Sequence, residues 1–254
     1  MSATASDELT TLLAVIVLVF APLLLWWFTL RVRKGVRYAF RRIRAFDALR
    51  GVFARAAENG KTVHLALGSS GIADAHTAIV SSGLAMLRHL ADQGASLGTS
   101  PTVTVADPAL LIVAQDTLRR AYEKRGRSAS YSSTDVRLIA PDPAAYAIGA
   151  QDVVDDEAIA ANAMIGHFGQ EYLLVGEAGA QRDLPQMVGS DDLDAQPFLV
   201  ATTDRALLGE EAFAAGAYLT ERPEHIASLR LQDILRLAVV VVILGGVLIK
   251  TLLG

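Results

Sequence analysis

The sequence has no cysteine, few aromatic residues and no familiar catalytic motif. Cysteine is absent among all 254 residues, which excludes disulfides, thiolate nucleophiles and cysteine-ligated metal sites. No GxSxG, GxxxxGK[ST] or GxGxxG pattern occurs. These absences favour a non-enzymatic role and name no cofactor. The missing cysteines also agree with a domain that faces the cytoplasm.

Long apolar runs lie near both ends of the chain. The run from Thr11 to Leu30 carries no charge, and at about 1.5 Å per residue it is long enough for the hydrocarbon core of a bilayer. Basic residues follow this run and no cleavage site is evident, so we predict a retained transmembrane helix at 11–30 after a short extracytoplasmic tail at 1–10. The run from Leu237 to Leu253 predicts a second transmembrane helix at 234–253, although a buried core helix is the alternative.

Charge predicts how these helices are oriented. Residues 31–50 contain eight basic residues and one acidic residue, whereas the rest of the chain contains 15 basic and 26 acidic residues. The positive-inside rule therefore puts this flank in the cytoplasm. We expect two spans in the inner (cytoplasmic) membrane, with both termini extracytoplasmic and the central domain in the cytoplasm.

A basic amphipathic helix is predicted between the first span and the domain, at residues 31–53. Its apolar residues recur every three or four positions from Val36 to Phe53. One interpretation is a helix on anionic lipid; the other is a stalk that packs its apolar stripe on the domain or on another copy. The basic residues assigned to the membrane surface are Arg33, Lys34, Arg37, Arg41, Arg42 and Arg44.

The central segment, residues 54–230, alternates between strand and helix patterns. Predicted strands are Thr62–Leu67, Thr102–Ala106, Val136–Ala140, Tyr172–Val175 and Phe198–Thr202. Predicted helices are Ala75–Gln93, Pro108–Arg125, Asp155–Phe168 and Ala206–Leu219, and Gln181–Gln196 is predicted to be a surface loop. The alternation predicts the α/β class, with a mostly parallel, Rossmann-like sheet covered by helices on both faces.

Ligands of such sheets bind beyond the carboxyl ends of the strands. The residues predicted at these ends that could bind a ligand are Gly68, Ser69, Ser70, Gly71, Asp107 and Asp204. A glycine loop between a strand and a helix can present backbone N–H groups to a phosphate or carboxylate, but a plain tight turn is the alternative. Both aspartates also lie just before predicted helices, at positions where aspartate is favoured as the N-cap residue, and capping accounts for their presence without a ligand.

Histidine spacing does not predict a metal site. The five histidines show no paired ligand spacing, and His76, near the glycine loop, is the single site candidate among them. Nucleic acid is not an expected partner, because the domain is acidic and the basic block is explained by topology.

Two stretches carry a family resemblance, VADPALLIVAQDTLRRAY (105–122) and GEEAFAAGAYL (209–219). They resemble an uncharacterised family of bacterial membrane proteins with a domain of unknown function between terminal hydrophobic helices. The resemblance implies this architecture and no particular activity.

Two hypotheses of function follow from these patterns. The first is a membrane-anchored scaffold, self-associating into a homo-oligomer or serving as an accessory subunit of a larger membrane complex. The second is a small-ligand or nucleotide-binding domain, sensor or enzyme, tethered to the bilayer. A transporter or channel is disfavoured, because two spans offer few polar groups inside the membrane.

Overall fold

The computed structural model describes the backbone of residues 2–253 except Arg37, Ala39, Asp204 and Glu221. Side chains at 2–10, 12–14, 16–17, 50, 249 and 252–253 lie outside the description as well. The predicted membrane-surface role of Arg37 and the predicted ligand role of Asp204 therefore concern residues that are not described. The chain divides into two units, one of Met1–Phe40 with Glu221–Gly254 and one of Arg41–Thr220.

The elements follow in chain order. The helices are α1 (Ser2–Arg33), α2 (Arg44–Glu58), α3 (Thr77–Leu97), α4 (Pro108–Lys124), α5 (Pro143–Val154), α6 (Tyr172–Gln181), α7 (Gln196–Thr202), α8 (Ala215–Leu219) and α9 (Pro223–Leu253). The strands are β1 (Thr62–Ala66), β2 (Thr102–Val105), β3 (Val136–Leu138), β4 (Ile159–Gly166), β5 (Gln186–Ser190) and β6 (Ala206–Leu207).

The first unit consists of α1 and α9, which pack against each other. An ion pair of 2.6 Å joins Arg33 of α1 to Glu224 at the start of α9. Within the described residues, one stretch is long and apolar enough to cross a membrane, Pro223–Leu248 in α9, with a mean hydropathy of 2.1. The predicted N-terminal span lies in α1, many of whose side chains are not described, and it stays a prediction.

The second unit contains a six-stranded sheet in which every neighbouring pair is parallel. The strand order is β3-β2-β1-β4-β5-β6. Strands β2 and β3 are added on one side of β1, and β4, β5 and β6 are added on the other side, so the strand order reverses between β1 and β4. Helices α2, α3, α4 and α8 pack together on one face, and α5, α6 and α7 pack on the other. Right-handed crossovers require this division when strand order reverses. The predicted α/β class with a parallel sheet is confirmed.

Helix α2 differs in its bounds from the basic amphipathic helix predicted at residues 31–53. Helical structure begins at Arg44, and residues 40–43 are not helical. The apolar side chains of α2 face the sheet, and those of Phe46, Leu49 and Phe53 are buried. The apolar stripe therefore packs on the domain. Burying one such side chain stabilises a fold by about 1.5–3 kcal/mol.

The second half of the sheet differs from the sequence prediction. The segment predicted as helix Asp155–Phe168 contains β4, and the predicted strands Tyr172–Val175 and Phe198–Thr202 are helical, in α6 and α7. The predicted loop contains β5, and the predicted helix Ala206–Leu219 divides into β6, a 3-10 turn at Gly209–Phe213 and α8. Strand β4 is covered on both faces and consists mainly of small residues, so it lacks the alternation that marks a half-exposed strand.

Candidate functional site

Three side chains from three different loops meet at the carboxyl edge of the sheet. His76 is the N-cap residue of α3 in the connection after β1, His167 directly follows β4, and Asp191 directly follows β5. Because β1, β4 and β5 are adjacent parallel strands, their carboxyl ends share one edge. We call His76, His167 and Asp191 the edge cluster. It lies at the point where the strand order reverses, which is where doubly wound sheets bind ligands.

The edge cluster has close and specific geometry. The two carboxylate oxygens of Asp191 divide between the histidines, with Oδ2 at 2.8 Å from Nδ1 of His76 and Oδ1 at 2.9 Å from Nδ1 of His167. The imidazole rings stack with centroids 3.7 Å apart and planes inclined by 27°. The exposed side-chain fractions are 34% for His76, 28% for His167 and 15% for Asp191. Asp191 is thus the most buried of the three, and both imidazole rings are partly exposed to solvent.

Asp74 adds a further negative charge beside the rings. Its carboxylate accepts hydrogen bonds from the backbone N–H groups of Gly71 and His76, each at 2.8 Å. The hydrogen bond from Gly71 is the main cause that lowers the pKa of Asp74, and the N–H of His76 and the charge of the two imidazoles lower that pKa further. Asp74 is therefore ionised at neutral pH, and its hydrogen bond with the N–H of His76 holds the backbone of His76 in place.

The glycine loop at 68–71 supports His167. A Cβ atom at Gly68, whose φ is +91°, would lie 2.7 Å from the backbone nitrogen of His167, so only glycine allows this approach. The backbone N–H and the hydroxyl of Ser69 both donate to the carbonyl oxygen of His167 at 3.1 Å. The N–H groups of Ser69 and Gly71 are thus already bonded inside the protein. This weakens the interpretation of the loop as a phosphate cradle.

Ser70 and Asp107 lie beside the same loop. The hydroxyl of Ser70 is buried and has no hydrogen-bond partner among the described residues. A Cβ atom on Gly71 would lie 3.0 Å from the carboxylate of Asp107, so the glycine loop and Asp107 do come together. The Oδ1 atom of Asp107 accepts the N–H of Leu110 at 2.7 Å, which is the N-cap contact expected from the sequence.

The basic residues assigned to the membrane surface have mixed surroundings. Arg33 pairs with Glu224, and Arg41 pairs with Glu211. The side chains of three others are exposed, namely Lys34, Arg42 and Arg44. Their predicted contact with lipid stays a prediction.

An open cleft of about 400 Å³ lies elsewhere, at the amino ends of β5 and β6. Its lining includes Asp183, Gln186, Thr203 and Arg205. Because β5 begins at Gln186 and the edge cluster follows Ser190, the cleft and the cluster are at opposite edges of the sheet. The cluster, with its ionisable groups, is the stronger candidate for chemistry.

Sequence reasoning named His76 and missed His167 and Asp191. Ligand sites do lie at strand ends here, but the sequence pattern predicts a helix where β4 lies and a loop where β5 lies, so it does not place strand ends at His167 and Asp191. The signals were present in the chain, as GHF at 166–168 and SDD at 190–192 directly after two apolar segments. Ligand spacing could not reveal the cluster, because its members are far apart in sequence.

Comparison with known proteins gives the family. Residues 3–254 match the family described as Domain of unknown function (DUF6754). The chain belongs to this family. No curated protein matches the chain, and no solved structure matches it. The resemblance to a family with a domain of unknown function is confirmed, while the bacterial and membrane character of its members stays an expectation.

The edge cluster of this DUF6754 protein offers two kinds of chemistry. Two imidazole nitrogens and a carboxylate can bind a transition-metal ion. The same imidazoles, when protonated, can donate hydrogen bonds to an anionic ligand.

Proposed function

We propose that this DUF6754 protein is a membrane-anchored α/β domain that binds a small charged ligand at the carboxyl edge of its sheet. The observation that carries the proposal is the edge cluster, in which ionisable side chains from three separate loops meet where the strand order reverses. Clustered ionisable groups at such a position are typical of ligand sites. The second hypothesis drawn from the sequence is therefore preferred to the first.

Two transmembrane helices are the proposed anchor. The hydropathy of α9 supports one of them. For α1 the support is the uncharged run from Thr11 to Leu30 and the exposure of described apolar side chains, including Leu18, Phe20 and Trp26. An exposed apolar surface of this kind is suited to lipid.

The proposed location is the inner membrane, with the domain in the cytoplasm and the lipid bilayer as a partner. The excess of basic residues at 31–50 supports this orientation. Exposed Lys34, Arg42 and Arg44 fit contact with anionic headgroups, since each basic residue near such a surface contributes about 1 kcal/mol.

Ligand binding can be tested on the full chain in detergent by thermal unfolding. The probes are ATP, NAD⁺, inorganic phosphate and citrate, each tested at millimolar concentration both without and with added Zn²⁺. A ligand present at 100 times its Kd stabilises the folded state by about 2.7 kcal/mol, and for a domain of this size 1 kcal/mol corresponds to about 2–4 °C. We expect at least one probe to raise the Tm by several degrees.

The matched variants for this test are Asp191→Asn and Asp194→Asn, from the same loop. Asp191 bridges the histidines, whereas Asp194 is exposed and lies outside the edge cluster. The shift in Tm should vanish in the first variant and persist in the second. The proposal fails if no probe shifts the Tm, or if the shift is the same in both variants.

Self-association is a second candidate, favoured by one observation in α9. A Cβ atom added to Gly245 or Gly246 would meet no other atom within 4 Å, so both glycines leave open space on the helix surface. Adjacent small residues let a second helix approach closely. A homo-oligomer or a larger membrane complex would use this surface.

The absence of cysteine makes this candidate testable by single-cysteine cross-linking in native membranes. Gly245→Cys should form a disulfide-linked dimer on mild oxidation. Leu244→Cys, exposed and about 150° around the helix from the midpoint of the two glycines, is the matched control and should not. Recovery of monomers alone from Gly245→Cys would remove the support for self-association through α9.

A further inference from the structure

The donor set of the edge cluster is that of a transition-metal site. One ligand atom each from His76, His167 and Asp191 lies within 4.8 Å of the other two. Two imidazoles with one carboxylate bind zinc in some hydrolases and iron in non-haem oxygenases. Ions that prefer oxygen ligands, such as Ca²⁺ and Mg²⁺, are poorly matched to two nitrogen donors.

The separations are close to those that one ion requires. Zn–N bonds of about 2.0–2.1 Å in tetrahedral geometry put neighbouring ligand atoms about 3.3 Å apart. The Nδ1 atoms of His76 and His167 lie 2.8 and 2.9 Å from the carboxylate of Asp191. Because an imidazole binds a metal through a lone pair in its ring plane, the stacked rings must also turn about their side-chain bonds so that both Nδ1 atoms point at the ion. Both rings are partly exposed, so water can reach the edge cluster.

The backbone around each ligand is held in place. His76 donates its N–H to Asp74, and the carbonyl of His167 accepts from Ser69. The buried hydroxyl of Ser190 donates to the carbonyl of Phe168 at 2.8 Å and accepts the N–H of Asp192 at 3.1 Å. Ser190 thus ties the backbone beside Asp191 to the backbone beside His167. Such support lowers the cost of ordering the ligands around an ion.

The negative charges nearby also favour a cation at the edge cluster. An ion bound by both Nδ1 atoms would lie beside the carboxylate of Asp191, whose oxygens are 2.8 and 2.9 Å from those atoms. The carboxylate of Asp74, which holds the backbone of His76, adds negative charge nearby.

We propose that His76, His167 and Asp191 bind one divalent transition-metal ion of the zinc class, with a fourth position open to water or to a ligand. This assignment rests on the proposed function, because it names what the same site binds. The open position is where the small charged ligand would contact the ion.

The test uses the full chain purified in detergent through an affinity tag without histidine. After treatment with a chelator, the protein is dialysed against Zn²⁺ or Co²⁺, and bound metal is measured by mass spectrometry and by the visible spectrum of Co²⁺. We expect one equivalent per chain. His76→Asn, His167→Asn and Asp191→Asn should each weaken binding at least 100-fold.

Two control variants, His89→Asn and Asp194→Asn, match these substitutions. His89 lies on α3, whose N-cap residue is His76, and it contacts Gln93. Asp194 lies in the same loop as Asp191. Both variants should keep one equivalent of metal. The metal assignment is overturned if the unsubstituted chain retains no metal, or if Asp191→Asn binds metal as tightly as Asp194→Asn does.

The probe panel separates this failure from failure of the proposed function. If the panel shifts the Tm in an Asp191-dependent way while no metal is retained, and a chelator leaves that shift unchanged, the cluster binds an anion directly and only the metal assignment fails. If metal binds as expected but no probe shifts the Tm, the metal assignment stands and the ligand proposal fails.

Discussion

The Nδ1 atom of His64 lies 2.9 Å from Oδ1 of Asn162, and this contact fixes the protonation of a buried imidazole. Asn162 donates through Nδ2 to Gln186, which itself donates through Nε2 to a backbone carbonyl, so Oδ1 of Asn162 must accept. Nδ1 of His64 therefore carries the proton. Its Nε2, 2.9 Å from the hydroxyl of Thr104, accepts. The network joins the four strands β2, β1, β4 and β5 with neutral groups.

Burial makes the stability of the domain sensitive to acid through His64. Desolvation is the main cause that lowers the pKa of His64 from 6.5 to about 4, the charge of Arg137 also lowers it, and the hydrogen bond to Asn162 opposes the shift. The unfolded chain takes up this proton as pH falls below 6.5, but the folded chain does not until about pH 4. The contribution of His64 is thus complete above pH 6.5 and is lost progressively down to pH 4, by about 2 kcal/mol at pH 5.

His64→Gln tests this prediction, because glutamine is polar and does not titrate. We expect the Tm of the unsubstituted full chain to fall between pH 7.5 and pH 5 by about 4–8 °C more than the Tm of His64→Gln. Parallel pH dependence in the two proteins would show that His64 does not cause acid sensitivity. The substitution itself lowers the Tm at pH 7.5, since it disturbs the network, and only the change with pH is compared.

Gly68→Ala should destabilise the domain more than Gly60→Ala. Both glycines have positive φ, +91° and +66°, but a Cβ at Gly60 meets nothing within 4 Å, whereas one at Gly68 overlaps the backbone of His167. Left-handed strain alone costs about 1–2 kcal/mol at Gly60, and overpacking adds about 1–3 kcal/mol at Gly68. Urea unfolding of the two variants measures the difference, and equal losses would contradict the close approach of β1 and β4.

Asp107→Ala is expected to remove a helix cap and nothing more. Asp142→Ala is the matched control, because both aspartates cap a helix that begins with proline and both accept an N–H three residues later. Each substitution should cost about 1 kcal/mol in urea unfolding and leave metal binding unchanged. Loss of metal binding in Asp107→Ala alone would instead make Asp107 part of the site, as one interpretation of the sequence proposed.

Membrane topology can be measured by labelling single cysteines in spheroplasts with an impermeant maleimide. Ser6→Cys lies in the predicted extracytoplasmic tail, and Ser128→Cys lies on an exposed turn of the α/β domain. We expect the first to be labelled in intact spheroplasts and the second only after lysis. Labelling of Ser128→Cys without lysis would reverse the proposed orientation.

The sequence predicted the first half of the sheet well for identifiable reasons. Strands β1, β2 and β3 were located because their polar–apolar patterns are clear, and α4 was bounded by the Asp107–Pro108 cap. In the second half, the sequence pattern predicts a helix where β4 lies and strands where α6 and α7 lie. Tyr172 and Val175 favour a strand by propensity, but in the fold they are buried one helical turn apart, so tertiary packing overrode local preference.

By itself, the sequence determined the α/β class, the parallel sheet and the apolar character of α9, since these depend on composition and periodicity along the chain. Only the tertiary structure decided which side chains form the site. His76, His167 and Asp191 lie in three loops separated by whole strands and helices, and the order in which strands pair brings those loops to one edge. No local pattern encodes that order, because it follows from burying both faces of the sheet at once.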